Sequence, residues 1–232
     1  MITLRPAQER GRTHQGWLES LHTFSFDQYQ DPAHMGFRNL RVINEDRVAA
    51  GKGFPMHAHR DMEILTVVIS GSLAHEDDAG GEGVIQAGGI QRITAGRGIR
   101  HSEYNPDERR EVHFFQIWFF PERKGLEPGY QSGRFSLNDP AAPLTLLASP
   151  TERQGALMLH QDVSLYFGSL EHARNTDFTL ERGRHGWLQI IDGTLICNGK
   201  SLRPGDGAAI SAEPELAFSA LDPCRFLFFD LN

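Results

Sequence analysis

The sequence predicts an all-β fold made of two successive blocks of short strands. Its 24 glycines and 12 prolines are scattered among 232 residues without a period, which is typical of a chain with many turns. Runs such as EILTVVI in the first block and HGWLQIID in the second read as strands, and glycines separate them from their neighbours. Many short strands with regular turn residues favour a barrel or a sandwich over a helical fold.

Proline is concentrated between the two blocks. Five prolines fall in this stretch: Pro121, Pro128, Pro140, Pro143 and Pro150. Because proline fixes φ and removes a hydrogen-bond donor from a sheet, we expect a connecting segment here. The predicted organisation is an N-terminal domain over 1–125, a linker over 126–150 and a C-terminal domain over 151–232.

The two blocks resemble each other. Both ILTVVISGSLAH and GWLQIIDGTLICN read as a strand, a glycine turn and a second strand. The match is short enough to arise from ordinary hairpins, so an internal duplication stays open. The second block has no HxH pair. If the domains are alike, we therefore expect a site in the first and none in the second.

Composition narrows the possible partners. A formal net charge of −7 and the lack of a basic run argue against a surface for DNA or RNA phosphates. Two cysteines without CxxC spacing suit a reducing cytosol. Neither a secretory signal nor an apolar stretch of about 20 residues is present. We expect a cytoplasmic protein with no nucleic-acid or membrane partner.

Two pairs of residues indicate a metal site. His57 and His59 are two positions apart, as are His101 and Glu103, so each pair projects from one face of a strand. The members of such a pair start about 6.6 Å apart at Cα and can converge on one ion. Two such strands side by side would supply its ligands and leave positions open for water, oxygen or substrate.

Glu63 is a rival to Glu103 as the carboxylate ligand. It has the same parity as His57 and His59, so an unbroken strand would place all three on one face. Spacing alone does not decide between the two glutamates. Asp61 also has this parity, and we expect it to be solvated or to support the ligands.

Other polar residues have simpler interpretations. His75 and His113 alternate with apolar residues, so we expect them to pack or to support the ligands. In the aromatic run FFQIWFF we expect Gln116 and Trp118 to belong to the core. The sequence lacks GxxxxGK[ST], GxSxG and HExxH, which excludes the common nucleotide-binding, hydrolase and zinc-protease motifs.

Two segments resemble the motifs of the cupin superfamily: Gly51-x5-His57-x-His59-x3-Glu63 and Gly98-x2-His101-x3-Asn105. The first departs from the pattern because Gly71 falls one residue late. The second departs because Gly96 stands where many cupins have proline. The resemblance narrows to the pirin family, and to its bacterial quercetin dioxygenases, in five segments: HTFSF, DPAHMGF, LRVINED, DMEILT and AGRGIRHSEYN.

The pirin resemblance implies two cupin barrels in one chain, each a jelly roll or double-stranded β-helix, with few short helices. It implies metal in the N-terminal barrel only. By position, the ligands would be His57, His59, His101 and Glu103. Glu63 would then support the ligands without binding the ion.

The resemblance also implies a function. The expected cofactor is one divalent ion, Fe(II), with Mn, Co, Ni, Cu or Zn as alternatives. The expected reaction is cleavage of a flavonol such as quercetin by O₂ with release of CO, and Glu103 would act as general base. Pirins also include regulators, so a metal-dependent regulator that acts through a protein partner is the alternative. An enzyme for another small molecule is a third possibility.

Overall fold

The computed structural model describes residues 1–232 and is almost entirely β-sheet, so the predicted fold class is confirmed. Strands β1 to β11 are Ile2–Arg5, Gly11–His14, Leu18–His22, Leu40–Val48, Gly53–His59, Glu63–Ser70, Ser72–Asp77, Glu82–Gln86, Gly89–Thr94, Ile99–Tyr104 and Val112–Phe119. Strands β12 to β22 are Gly129–Arg134, Leu144–Ser149, Leu157–Met158, Val163–Leu170, Asn175–Thr179, His185–Asp192, Leu195–Cys197, Lys200–Leu202, Gly207–Ser211, Glu215–Ala220 and Cys224–Leu231. One 3₁₀ turn, Ala7–Glu9, is the sole helical segment, and the structure contains no helix that could span a membrane.

The chain folds into two compact units. The N-terminal unit comprises 11–135 and 157–161, and the C-terminal unit comprises 1–10, 136–156 and 162–232. The N-terminal unit begins and ends later than the predicted 1–125, and the C-terminal unit includes residues outside the predicted 151–232. The first residues belong to the C-terminal unit because β1 pairs antiparallel with β20 there. The short segment 157–161 belongs to the N-terminal unit, beyond the point where we predicted the second domain to begin.

The segment predicted as a linker, 126–150, contains two strands. β12 pairs with β9 in the N-terminal unit, and β13 pairs with β15 in the C-terminal unit. The prolines flank these strands: Pro128 directly precedes β12, Pro143 directly precedes β13 and Pro150 directly follows it. At a strand end the missing amide hydrogen costs no ladder hydrogen bond. Proline therefore marks strand boundaries here rather than a stretch without sheet.

The N-terminal unit is a sandwich of two sheets. One sheet has the strand order β12-β9-β6-β11-β4-β3-β2, and the other has the order β5-β10-β7-β8. Leu73 and Ile85 of the smaller sheet belong to the same buried cluster as Val68 and Phe114 of the larger one. Each sheet thus buries its apolar face against the other, as in a jelly roll.

The C-terminal unit repeats this plan. Its larger sheet includes the order β1-β20-β17-β22-β15-β13, and its smaller sheet has the order β16-β21-β18-β19. Leu216 and Phe218 of the smaller sheet pack with Phe226 and Phe228 of the larger one in an apolar core. Both clusters of potential metal ligands lie in the N-terminal unit, so the chemistry is described from that unit alone.

Candidate metal centre

Three of the predicted ligands converge because of the register between β5 and β10. The antiparallel pairing sets His101 of β10 opposite His57 of β5. His59 lies on the same face of β5, since side chains alternate along a strand. The three ring centroids are 4.4, 4.7 and 4.9 Å apart, and the potential ligand atoms lie within 4.8 Å of one another. We call these three residues the histidine trio.

The close approach of β5 to β10 depends on Gly53. The register shifts between His101 and Glu103, and beyond the shift Gly53 pairs with Tyr104. A Cβ atom on Gly53 would lie 2.1 Å from the Glu103 carbonyl oxygen and 2.6 Å from the Tyr104 Cα. These are backbone atoms that cannot rotate away, so a residue with a side chain would push the two strands apart.

Two members of the histidine trio have a nitrogen available for a metal ion. The Nδ1–H of His57 donates to the Pro55 carbonyl at 2.8 Å, which leaves its Nε2 as the free lone pair. The Nε2 of His101 is fully buried and has no hydrogen-bond partner. A buried polar atom without a partner costs about 1 to 3 kcal/mol. A metal ion at this position would remove that cost, so the residues present fit one.

His59 and His101 are also in the protonation state that a metal requires. Burial, followed by the charge of His57, lowers the pKa of His59 to about 4. Burial lowers the pKa of His101 further, to about 2, with added effects from the neighbouring histidines. Both imidazoles are therefore neutral at pH 7. Neutral imidazole is the form that binds a metal ion without first losing a proton.

Glu103 lies beside the trio but is held by its own set of donors. Its Oε1 accepts from Gln91 at 2.7 Å and Thr66 at 3.5 Å, and its Oε2 accepts from Gln116 at 2.8 Å. Its carboxylate falls within 4.8 Å of ligand atoms of His75 and His101, a different cluster from the trio. Burial raises the pKa of Glu103 to about 7, although the hydrogen bonds oppose that rise. Because Oε1 already accepts two hydrogen bonds, it is Oε2 that has a second lone pair left for an ion or a proton.

Glu63 lies away from the trio. Its buried Oε2 accepts from the His160 amide at 3.1 Å and contacts the His160 Nδ1 at 3.2 Å. No hydrogen bond joins it to any member of the trio. The parity argument required an unbroken strand, but β5 ends at His59, and Asp61 has a left-handed backbone with a φ of 51°. The turn there redirects the chain before Glu63 begins β6.

A cavity of about 310 Å³ opens beside the trio. His57, His59 and Glu103 line it together with four aromatic side chains: Trp17, Phe26, Phe54 and Trp118. Gln116 and Trp118 both face this cavity, so the expectation that they belong to the core holds only in part: Trp118 also packs against a buried apolar cluster that includes Ile64 and Ile93. The Trp118 Nε1–H donates to the Gln116 Oε1 at 3.2 Å, which orients the Gln116 amide so that it donates to Glu103.

The cavity has a polar wall that sequence reasoning missed. Asn44 and Asp46 of β4 line it, and both are only 3% exposed. The Asn44 Oδ1 contacts the Nδ1 of His22 at 2.8 Å. Burial raises the pKa of Asp46 to about 7, and the charge of Glu103 adds to this. The sequence does contain a signal for this polar wall: Asn44 and Asp46 are two positions apart in the strand LRVINEDRV and so share a face.

Comparison with known proteins agrees with this fold. Residues 3–119 match the family profile described as "Pirin", and residues 146–231 match the one described as "Quercetinase C-terminal cupin domain". The chain belongs to the pirin family. The expected pair of cupin domains is confirmed. In this pirin each of the two domains is folded as a jelly-roll sandwich of two sheets.

Full-length relatives and solved structures resemble this pirin closely. It is 43% identical over 231 residues to the quercetin 2,3-dioxygenase of Escherichia coli, covering 100% of this chain and 99% of the relative. It is 36% identical to a pirin-like protein of Caulobacter vibrioides, covering 99% of both. The crystal structure of YhhW from Escherichia coli has a TM-score of 0.96 at 43% identity, covering 100% of this chain and 98% of that one. A nickel(II) complex of YhhW has a TM-score of 0.94 at 43% identity, with coverage of 100% and 99%.

The Gly53→Ala variant tests the strand contact. We expect it to lower the free energy of unfolding by about 1 to 3 kcal/mol, because the new methyl group meets backbone atoms. We also expect weaker nickel binding, since β5 carries two of the three histidines. Gly129→Ala is the matched control, because a Cβ there meets only an Arg92 nitrogen at 3.7 Å. Equal unfolding and nickel titrations for the two variants would contradict the role given to Gly53.

The pH dependence of stability tests the burial of Glu103. Its folded pKa of about 7 exceeds the ordinary 4.5, so its contribution is fully present below pH 4.5 and is lost as the pH rises through 7. The Glu103→Gln variant has no carboxyl group to titrate at this position, so without metal it does not lose this stability as the pH rises. Its stability relative to the wild-type protein should therefore rise by up to about 3 kcal/mol between pH 4.5 and 8. Urea unfolding at several pH values measures this, with the surface variant Glu127→Gln expected to parallel the wild-type protein.

Proposed function

We propose that this pirin is a metal-dependent dioxygenase that opens the ring of a flavonol such as quercetin with O₂ and releases CO. The observation that carries the proposal is the convergence of three histidines, two of them held neutral by burial, beside an aromatic-lined cavity. The Escherichia coli relative, which bears the name quercetin 2,3-dioxygenase and aligns over its full length, supports this choice of substrate.

We propose that His57, His59, His101 and Glu103 hold one divalent ion. The buried Nε2 of His101, which has no partner within the protein, supports this assignment. We propose Fe(II) as that ion, although nitrogen and oxygen donors also accept Mn, Co, Ni, Cu or Zn. The nickel complex of YhhW supports a divalent ion of this class. Such an ion supplies Lewis acidity, which lowers the pKa of a substrate hydroxyl group beside it.

The cavity suits a flat polyphenol. Its volume of about 310 Å³ lies at the lower end of the range for small-molecule sites. Trp17, Phe26, Phe54 and Trp118 offer aromatic surfaces on which a planar ring system can pack. Asn44, Ser20 and Asp46 on the polar wall can form hydrogen bonds with hydroxyl groups. Together these features would orient a flavonol with one hydroxyl group toward Glu103.

Glu103 is the proposed general base. A base works best when its pKa lies near the working pH, and in the metal-free protein burial raises the pKa of Glu103 from its ordinary range to about 7. The hydrogen bonds from Gln91 and Gln116 hold the carboxylate at the cavity wall. Glu103 would take the proton of the flavonol 3-hydroxyl group. The electron-rich flavonolate then reacts with one O₂, and one ring carbon leaves as CO.

We also propose a cytoplasmic location. Cys197 and Cys224 are buried, form no disulfide bond, and belong to the same apolar core. Burial raises the pKa of each thiol to about 12, so neither thiol is in its reactive form at pH 7. Two such cysteines suit a reducing compartment.

Oxygen consumption tests the proposed reaction. Protein stripped of metal and reloaded with one divalent ion at a time should consume O₂ and release CO in equal amounts when quercetin is added. Glu103→Gln should lower kcat by about 10²- to 10⁴-fold, because the proton acceptor is lost. Glu63→Gln is the matched control, since that carboxylate is equally buried but bound to His160.

The possible outcomes separate the parts of the proposal. No O₂ uptake with any of the metals would reject the dioxygenase and favour a metal-dependent regulator. Full kcat in Glu103→Gln would reject Glu103 as the base while leaving the reaction in place. Loss of bound metal in Glu63→Gln, but not in Glu103→Gln, would show that Glu63 is the carboxylate ligand and Glu103 is not. Metal analysis of the protein as purified would test the assignment to Fe(II).

A further inference from the structure

A second pair of residues two positions apart lies next to the trio. Strand β7 pairs with β10 on the side opposite β5, and its register sets Asp77 opposite His101 and His75 opposite Glu103. The side chains of His75 and Asp77 are fully buried. Strand β10 is thus flanked by a pair of proposed ligands on one side and by a buried His–Asp pair on the other.

The contacts form a continuous chain from Asp77 to His101. The Nε2 of His75 lies 2.8 Å from the Oδ2 of Asp77, and the Nδ1 of His75 lies 3.4 Å from the Nδ1 of His101. The His75 ring stacks on Tyr130, with centroids 4.5 Å apart and an interplanar angle of 6°. Stacking and burial hold the imidazole of His75 in one orientation.

The direction of each hydrogen bond follows from the acceptor at the start of the chain. A carboxylate can only accept, so the Nε2 of His75 carries the hydrogen and its Nδ1 is an acceptor. The Nδ1 of His101 must then carry a hydrogen in order to donate to His75. In neutral His101 this leaves the lone pair on Nε2, the buried atom that has no partner within the protein.

We propose that Asp77 and His75 are positioning residues that fix His101 in the tautomer able to bind the metal ion. The proposal rests on the metal centre proposed above and goes beyond it. Neither residue binds the ion in this scheme, because both nitrogens of His75 are already engaged. Residues that orient a ligand in this way typically change metal affinity by about 10- to 100-fold when they are replaced.

The surroundings of Asp77 make one substitution especially informative. Its Oδ1 accepts from the backbone amides of Ala79 at 2.9 Å and Gly81 at 2.8 Å. In Asp77→Asn these two donors would hold the remaining oxygen in place, so the new amide NH₂ would face His75. It would then donate to the Nε2 of His75 and reverse every hydrogen bond in the chain. His101 would carry its hydrogen on Nε2, where it blocks the metal.

Nickel(II) titration of the full-length, metal-stripped protein tests this inference. With competition from a coloured chelator, Asp77→Asn should bind nickel about 10- to 100-fold more weakly than the wild-type protein. Imidazole nitrogen NMR of the metal-free proteins should show the hydrogen of His101 on Nδ1 in the wild-type protein and on Nε2 in the variant. A purely structural role for Asp77 would not move that hydrogen.

Two further variants control for folding. Glu45→Gln alters another His–carboxylate contact, with His113 at 3.1 Å, outside the cavity, and should leave nickel affinity unchanged. His75→Phe keeps a ring against Tyr130 but removes the acceptor for His101, so it should also weaken nickel binding. If Asp77→Asn does not fold, His75→Phe and its nickel affinity decide the question.

The outcomes distinguish this inference from the proposed reaction. Wild-type affinity in Asp77→Asn, or in His75→Phe, would overturn the positioning role while leaving the metal centre intact. No nickel binding by the wild-type protein would overturn the positioning role together with the metal centre. Failure of the wild-type protein to consume O₂ with quercetin would overturn only the dioxygenase, because nickel affinity and the His101 tautomer are measured without turnover.

Discussion

The antiparallel pairing of β10 with its two neighbours is the constraint on which the site depends. The register places His57 on one side of His101 and Asp77 on the other. Because side chains alternate along a strand, a slip of one residue would turn a whole set of polar groups to the opposite face. The sandwich prevents such a slip, since apolar residues such as Leu73 and Ile85 of the same sheet must stay in the core.

Burial gives this arrangement its chemistry. In a low-dielectric interior an unpaired charge is costly, so His59 and His101 stay neutral and Glu103 is surrounded by amide and hydroxyl donors. These donors include Gln91 and Gln116, which come from strands of the larger sheet. The smaller sheet therefore carries the proposed ligands, while the larger sheet holds the carboxylate in place and forms much of the cavity wall.

The sequence predicts the histidines well and the glutamates poorly. His57, His59 and His101 follow from the period of two, which survives because each pair lies within one regular strand. The choice between Glu63 and Glu103 does not follow, because the left-handed backbone at Asp61 interrupts the alternation that the argument assumed. Composition alone also cannot say that a strand such as β11 has a cavity on one face, and this is why Gln116 was expected in the core.

The position of Tyr130 bears on where the boundaries of the pirin domains are drawn. Its ring stacks on His75, and its hydroxyl group donates at 3.3 Å to Gln91, which in turn donates to Glu103. Yet Tyr130 falls between the two regions recognised by family profiles, 3–119 and 146–231. Surveys that compare pirins domain by domain would leave this residue out of the alignment. Variation among pirins at that position would then go unnoticed, although Tyr130 contacts His75, which lies beside His101, and Gln91, which donates to Glu103.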